Sequence, residues 1–220
     1  MTLVEAAVET LPEALAAERS GADRIELCAN LDDGGTTPSA DLITTVAGGI
    51  RLPVFVLIRL RAGGFVYSDD EIGAMAREIE LATDMGAAGI VTGALTAHDT
   101  VDIARTRTLV DAAGGLPVTF HRAFDLTVNL PNSLEQVIDA GVGRVLTSGG
   151  AATAVEGVDA IAALVEQARG RITIVAGGGI RQHNARDVIE RTGVGEVHAR
   201  LVDEASMQSL VDVARKTGSG

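Results

Sequence analysis

Short apolar, β-branched runs alternate with helix-patterned segments from one end of the chain to the other, and this alternation limits the fold more than any other feature. Strands are predicted at Leu3–Val8, Arg24–Cys28, Val54–Arg59, Gly89–Thr92, Val118–His121, Arg144–Thr147, Ile172–Ala176 and Glu196–His198. Helices are predicted near Leu11–Ser20, Ser39–Gly48, Asp69–Met85, Asp102–Ala112, Pro131–Ala140, Ala154–Ala168, Asn184–Arg191 and Glu204–Arg215. The junctions repeat as well: Ser20-Gly21-Ala22-Asp23-Arg24, Met85-Gly86-Ala87-Ala88-Gly89 and Ala140-Gly141-Val142-Gly143-Arg144 each run from a helix end through glycine into a strand. The period is roughly 25–30 residues, the size of one βα unit. Eight such units fit a single-domain (β/α)₈ TIM barrel over residues 1–216, with a flexible tail at 217–220. A Rossmann-like sheet would need G-x-G-x-x-G after the first strand, and that motif is absent there, so no nucleotide cofactor is expected.

Local chemistry supports the boundaries. Pro12 suits a first helical turn, Ser39 suits an N-cap, and Asp69-Asp70-Glu71 places negative charge at a helix start. Gly21, Gly86, Gly141 and Gly193 sit where helix C-caps belong.

Composition narrows the function classes. The 220 residues carry a formal net charge of −12, which argues against a nucleic-acid partner that needs a basic face. Aromatics are only 2%, too few for base-stacking platforms. No run approaches the roughly 20 apolar residues of a membrane span. The N-terminus lacks a basic and then apolar leader, so a cytoplasmic protein is expected. The single cysteine, Cys28, excludes an intramolecular disulfide.

In a TIM barrel the chemistry sits at the C-terminal ends of the strands. The fifth strand ends in His121, Arg122 and Asp125. Elsewhere strand ends deliver Glu26 and Cys28, Arg59 and Arg61, Ser148-Gly149-Gly150, Gly177-Gly178-Gly179, and His198 with Arg200. Side chains two residues apart share a face, so Glu5, Glu26 and Glu196 are expected inside the barrel and need cationic partners. Arg59 and Arg61 are the expected partners. Gly149, Gly177 and Gly178, with the Ser148 hydroxyl, suit a phosphate held by backbone N–H groups. Arg59, Arg61 and Arg122 suit a small anionic ligand, and His121 suits a general acid or base whose protonation Asp125 or Glu26 would set.

Blander readings stand beside these. A histidine at a strand end is more often a hydrogen-bonded structural residue, although Arg122 and Asp125 accompany His121. A lone cysteine is more often a small buried hydrophobe than a ligand. His98 and His183 are expected in solvent. The apolar face Ile72, Met75, Ala76 and Ile79 fits a homodimer surface or ordinary helix-on-barrel packing equally well. C-x-x-C, H-x-H and H-E-x-x-H are absent, and Lys216 is the one lysine, so neither a preformed zinc site nor a Schiff-base lysine is expected.

Gly21-Ala22-Asp23-Arg24-Ile25-Glu26-Leu27-Cys28, Asp33 to Ser39, Ile58-Arg59, Phe65 to Asp69, Val91 to Thr96, Pro117 to Asp125, Arg144 to Gly149 and Gly177 to Ile180 together resemble the CutC family, in order and across nearly the whole chain. The resemblance implies a (β/α)₈ barrel and a cytoplasmic protein of copper homeostasis, with copper bound through cysteines. It makes Cys28 the metal-ligand candidate, with Glu26, His198 or a partner chain assisting. Three positions depart from the family pattern: Ala7 stands where the family has a cysteine, Leu60 where it usually has proline, and Gly64 where it has aspartate. Cu(I) prefers two or more soft ligands, and Met75, Met85 and Met207 fall in predicted helices away from the strand ends.

Two functions follow as expectations. One is a copper-homeostasis protein binding Cu(I) at Cys28. The other is a TIM-barrel isomerase or lyase acting on a small anionic or phosphorylated metabolite. In it His121, Asp125, Glu26 and Arg59 would be catalytic, and Glu5, Arg61, Arg122, Ser148, Gly149, Gly177, Gly178 and His198 would bind the ligand.

Overall fold

A computed structural model of the chain describes residues 1–217; residues 218–220, most of the expected tail, lie outside the described residues. Thr217, placed in the tail by sequence, is instead the last residue of a helix. Strands and helices alternate strictly: β1 Leu3–Val8, α1 Leu11–Arg19, β2 Arg24–Leu27, α2 Ala40–Gly49, β3 Val54–Leu57, α3 Asp69–Asp84, β4 Gly89–Thr92, α4 Ile103–Ala112, β5 Val118–Phe120, α5 Leu130–Asp139, β6 Arg144–Thr147, α6 Val158–Ala168, β7 Thr173–Ala176, α7 Ala185–Thr192, β8 Glu196–Arg200 and α8 Glu204–Thr217. All strands pair in parallel, and β8 pairs with β1 to close the barrel. This is the single-domain (β/α)₈ barrel expected from the periodicity.

The differences in boundary are small and informative. β2, β3 and β5 end one or two residues early, so Cys28, Arg59 and His121 lie just past the last paired residues. β8 runs on to Arg200. α6 starts at Val158 rather than Ala154; ahead of it Thr153 and Glu156 form their own turn, and the Ala154 N–H donates to the Gly178 carbonyl.

Helix starts follow the sequence cues. Ser68 and Glu71 close a reciprocal capping box on α3, of the kind whose loss costs about 1 kcal/mol. Ile72, Met75 and Ile79 of α3 are buried against the barrel. That face therefore serves helix-on-barrel packing, the second of its two readings. No helix among the described residues is long and apolar enough to cross a membrane.

The barrel interior is divided. On one side Cys28, Phe55, Leu57 and Val91 form a small apolar cluster of their own. Phe55 crosses the interior to the position of Gly89, where a Cβ would meet its ring at 2.5 Å. The guanidinium groups of Arg24 and Arg144 rest on the same ring, 4.8 and 5.0 Å from its centroid. Beside Ala7, Thr119 and Leu146 the interior also holds the charged side chains of Glu5, Arg24 and Arg144, which is unusual for a layer normally built of branched apolar side chains.

Candidate active site

A cavity of about 700 Å³ opens at the C-terminal ends of the strands, and Glu26, Arg59, His121, Arg122, Asp125 and His198 all line it. Below it lies a ring of charges that satisfy one another. Glu5, at 1% exposure, accepts from Arg24 Nε, Arg144 and His198 Nδ1, the last at 2.8 Å. Glu196 accepts from Arg24 Nη2 at 2.6 Å and Arg144 Nε at 3.2 Å. Arg144 Nη1 also donates to Thr119 Oγ1 at 2.8 Å. Burial opposes ionisation of Glu5. The His198 hydrogen bond and the charges of Arg144, His198 and Arg24 outweigh it and hold its carboxyl well below the usual range. Burial likewise opposes charge on His198, but its bond to Glu5 and the charges of Glu26 and Glu5 raise its pKa. The buried carboxylates are thus paired as required, but by Arg24, Arg144 and His198, not by Arg59 and Arg61.

Arg61 leaves the site altogether. Its Nε donates to Glu71 Oε1 at 2.6 Å, and its remaining bonds go to the Gly64 and Val66 carbonyls, so it braces the capped start of α3. Arg59 behaves differently. It is 5% exposed, and its side chain donates only to the carbonyls of Asp33, Gly35 and Gly63. Among the described residues, no carboxylate lies within ion-pair distance of this buried cation.

His121 caps the short 3₁₀ turn Arg122–Leu126. Its Nδ1 accepts from the Ala123 N–H at 3.3 Å, which leaves the ring proton on Nε2. Nε2 is buried and has no hydrogen-bond partner. Burial and the nearby Arg59 charge push its pKa down to about 3, so the ring is a neutral donor at ordinary pH. Neither Asp125 nor Glu26 bonds to it, contrary to the expected acid–base pairing. The Phe65 ring packs beside both groups, 4.8 Å from the His121 ring and 4.9 Å from the Arg59 guanidinium, and lines the cavity with them.

Glu26 has one engaged oxygen and one open one. Oε1 accepts weakly from Cys28 Sγ at 3.4 Å, while Oε2 has no hydrogen bond and lies 3.5 Å from His198 Nδ1. Burial, only partly offset by His198, raises its pKa. The carboxyl therefore exchanges its proton at a higher pH than an ordinary glutamate.

Asp125 has gone to the β6 end. Ser148 N–H, Gly150 N–H and the hydroxyls of Thr147 and Ser148 all donate to it, and Arg122 Nε adds a bond at 2.9 Å. The expected phosphate cradle is thus partly filled by the protein's own carboxylate. Gly149 N–H bonds Thr147 Oγ1 and Gly177 N–H bonds the Thr147 carbonyl, so neither faces a ligand. The Ser148 hydroxyl is held between Asp125, Arg122 and the Ala151 carbonyl. Gly178 remains on the cavity wall, joined by Gly179 and Arg181.

The donor set does not suit Cu(I). Cys28 is fully buried, and burial together with the Glu26 and Glu5 charges raises its thiol pKa well above its ordinary value, so it is a protonated thiol. Glu5, Glu26 and His198 do bring ligand atoms within 4.8 Å of one another. They are two hard oxygens and an imidazole, and Glu5 already faces two guanidinium groups. A soft monovalent ion finds neither a second thiolate nor a thioether there.

Sequence reasoning missed Arg24, Arg144 and Arg181. For the first two a signal existed: Arg24 shares a face with Glu26 and Cys28, and Arg144 with Leu146 and Ser148, so both had to point into the barrel. His98 and His183 are exposed, as expected.

The family model for CutC matches residues 2–202. A CutC family protein of Xanthomonas axonopodis pv. citri is 47% identical over 196 residues, 89% of this chain and 82% of its own length. The human copper homeostasis protein cutC homolog is 45% identical over 208 residues, 94% of this chain and 76% of its own. The crystal structure of the copper homeostasis protein CutC of Streptococcus agalactiae superposes with a TM-score of 0.85 at 35% identity, covering 90% of this chain and 98% of that one. The sequence motifs, the closed barrel and these relatives agree: the chain belongs to the CutC family.

Proposed function

We propose that the chain is a proton-transfer enzyme, of isomerase or lyase type, acting on a small anionic metabolite at the C-terminal face of the barrel. The observation that carries this reading is Arg59, a buried cation whose partners are all neutral carbonyls beside an open cavity. An uncompensated buried charge is costly, and a ligand anion would compensate it. Around it stand the remaining parts of such a reaction. Glu26 Oε2 takes a proton from a substrate carbon next to a carbonyl. The neutral His121 Nε2–H donates to the carbonyl oxygen as negative charge develops there. Protonated Glu26 then returns its proton to a neighbouring carbon in an isomerase, or releases it with a departing group in a lyase. His198, held by Glu5, keeps positive charge near Glu26 and steadies its ionised form.

The test is solvent-deuterium incorporation into a panel of small carboxylated and phosphorylated oxo-metabolites, followed by NMR. Exchange at one carbon that falls by about 10²-fold or more in Glu26→Gln and in His121→Ala supports the roles. A cognate turnover left intact by His121→Ala refutes the donor role.

The names of the relatives support a second reading, a role in copper homeostasis, and the residues bear on how it would work. With one protonated thiol per chain, a direct Cu(I) site at Cys28 would need soft donors from a partner chain. Anaerobic Cu(I) titration against a competing chelator, with Cys28→Ser alongside, decides it: tight binding lost in the variant establishes the Cys28 site. Binding that is absent or indifferent to the substitution removes it.

A further inference from the structure

We infer that the cavity rim between the β6–α6 and β7–α7 loops is a phosphate subsite built by Gly178, Gly179, Ala151, Ala152, Arg122 and Arg181, so that the metabolite turned over at Glu26 is a phosphomonoester. The substrate assignment rests on the proton-transfer reading; the subsite rests on residues that reading does not use.

Four backbone N–H groups, those of Ala151, Ala152, Gly178 and Gly179, have no hydrogen-bond partner among the described residues, and all four residues line the cavity. Two guanidinium groups accompany them. Arg122 is fixed before any ligand arrives: Nε is held by Asp125 at 2.9 Å, and Nη2 by Ser148 Oγ at 2.7 Å and more loosely by the Ala151 carbonyl. Nη1 carries no bond. It lies over Gly178, where a Cβ would stand 3.5 Å from Nη1 and only 3.3 Å from the guanidinium carbon. At φ +97° that backbone conformation favours glycine independently, so the close approach of loop and arginine depends on this residue. Arg181 donates from Nη1 to the Ile180 carbonyl at 2.7 Å, and its other guanidine nitrogens are unengaged. Asn184 fixes the loop, accepting from Arg181 N–H at 2.8 Å and donating to the Gly179 carbonyl at 2.9 Å.

The geometry selects the anion. Asp125 accepts from four groups on the β6 side and from Arg122 Nε, and occupies the inner nest, so it anchors Arg122 and leaves the outer rim to a ligand. Donors reach that rim from two separate loops. A flat carboxylate satisfies one fork, whereas a phosphate presents three oxygens and up to two charges and meets both loops together. The subsite's backbone donors stand on the loops after β6 and β7, with Arg122 reaching across to them from the end of β5, while Arg59 follows β3. One small molecule in the 700 Å³ cavity can therefore hold its phosphate at the rim and its carbonyl carbon at the floor.

The experiment is titration of the ¹⁵N-labelled full chain with inorganic phosphate, glycerol phosphate and acetate, reading the amide resonances. The expected result is saturable shifts at Gly178 and Gly179 with both phosphates. Affinity should fall about tenfold in Arg181→Gln, the loss of one charge-assisted contact. It should not change in Arg107→Gln, a distant exposed arginine bonded only to the Asp139 carbonyl. Retention of the remaining spectrum shows that each variant is folded. Absence of shifts at Gly178 and Gly179, or equal weakening by both substitutions, overturns the subsite. Acetate separates the two ideas. If acetate perturbs Arg59 and His121 while phosphate leaves the rim untouched, the subsite is wrong and the proton-transfer reading survives. Phosphate seated at the rim, with no response of Arg59 or His121 to acetate, upholds the subsite and tells against the proton-transfer reading.

Discussion

Two sets of buried charge lie within one small barrel and are treated in opposite ways. In the lower ring Glu5, Glu196, Arg24, Arg144 and His198 each find a partner of opposite charge. At the mouth Arg59 has only carbonyls, and both His121 Nε2 and Glu26 Oε2 lack hydrogen-bond partners. The lower ring needs nothing from outside and reads as structure. The mouth leaves polar groups without partners, and the proposed function is placed there. Charge alone does not mark a site; charge that the fold leaves unanswered does.

The comparison breaks most visibly at Arg144. Arg144→Met removes a cation shared by Glu5 and Glu196 and leaves two buried carboxylates leaning on Arg24 and His198. Breaking a buried ionic network from one side costs about 3–5 kcal/mol. Denaturant unfolding should show a loss of that size. A loss below 1 kcal/mol, a rough floor for a buried pair, would mean that the ring is not structural.

The two buried histidines separate the regions by pH. His198 gains its partner on folding and its pKa is raised, so its contribution is complete below the unfolded value near 6.5 and is lost as pH rises through the folded value. Glu26, raised by burial, works in the same direction. His121 has the opposite sign. Lowered to about 3, it stays neutral in the folded state while the unfolded chain takes up a proton, so stability falls as pH drops below about 6.5. The slope from His121 alone is at most about 1.4 kcal/mol per pH unit. His121→Gln should flatten the acid limb between about pH 6 and 5, and His198→Gln should flatten the alkaline limb. If His121→Gln leaves the acid limb unchanged, His121 is charged in the folded protein and is not the neutral donor.

Arg59→Met should be milder for the fold than Arg144→Met. It forfeits bonds to three carbonyls but strands no carboxylate, for a cost of about 1–2 kcal/mol. Binding of small carboxylates should nevertheless disappear, and calorimetric titration with acetate or malonate reads this directly. A stability loss as large as that of Arg144→Met, with binding intact, would move Arg59 into the structural set.

The fold was legible because every βα unit repeats the same local instructions: an apolar run, a cap, an amphipathic helix and a glycine stop. Strand-end chemistry was legible for the same reason, and it placed His121, Glu26, Arg59 and Gly178 on one cavity. Pairing was not legible. Which arginine meets Glu5 depends on strand registers around a closed barrel, where Glu5 stands opposite Arg24 on one side and His198 on the other. Spacing along the chain carries no such information. Asp125 shows the same limit, since it was assigned to its sequence neighbour His121 but bonds the β6 loop 22 to 25 residues away.

The smallest effect should come from Cys28, the residue to which sequence resemblance gave the most weight. Its side chain lies among Phe55, Leu57 and Val91, and its thiol makes one weak bond to Glu26 at 3.4 Å. Serine is slightly smaller and keeps a donor for that carboxylate. Cys28→Ser therefore exchanges a soft apolar atom for a satisfied hydroxyl and should cost about 1 kcal/mol or less in chemical unfolding. Because the thiol lines neither the cavity nor the charged ring, deuterium exchange at the mouth should keep its rate and pH profile. A large change in that profile would show that the Cys28–Glu26 bond tunes the carboxyl after all. Cys28 would then belong with the mouth as a positioning residue, and the division between answered and unanswered charge would have to be redrawn around it.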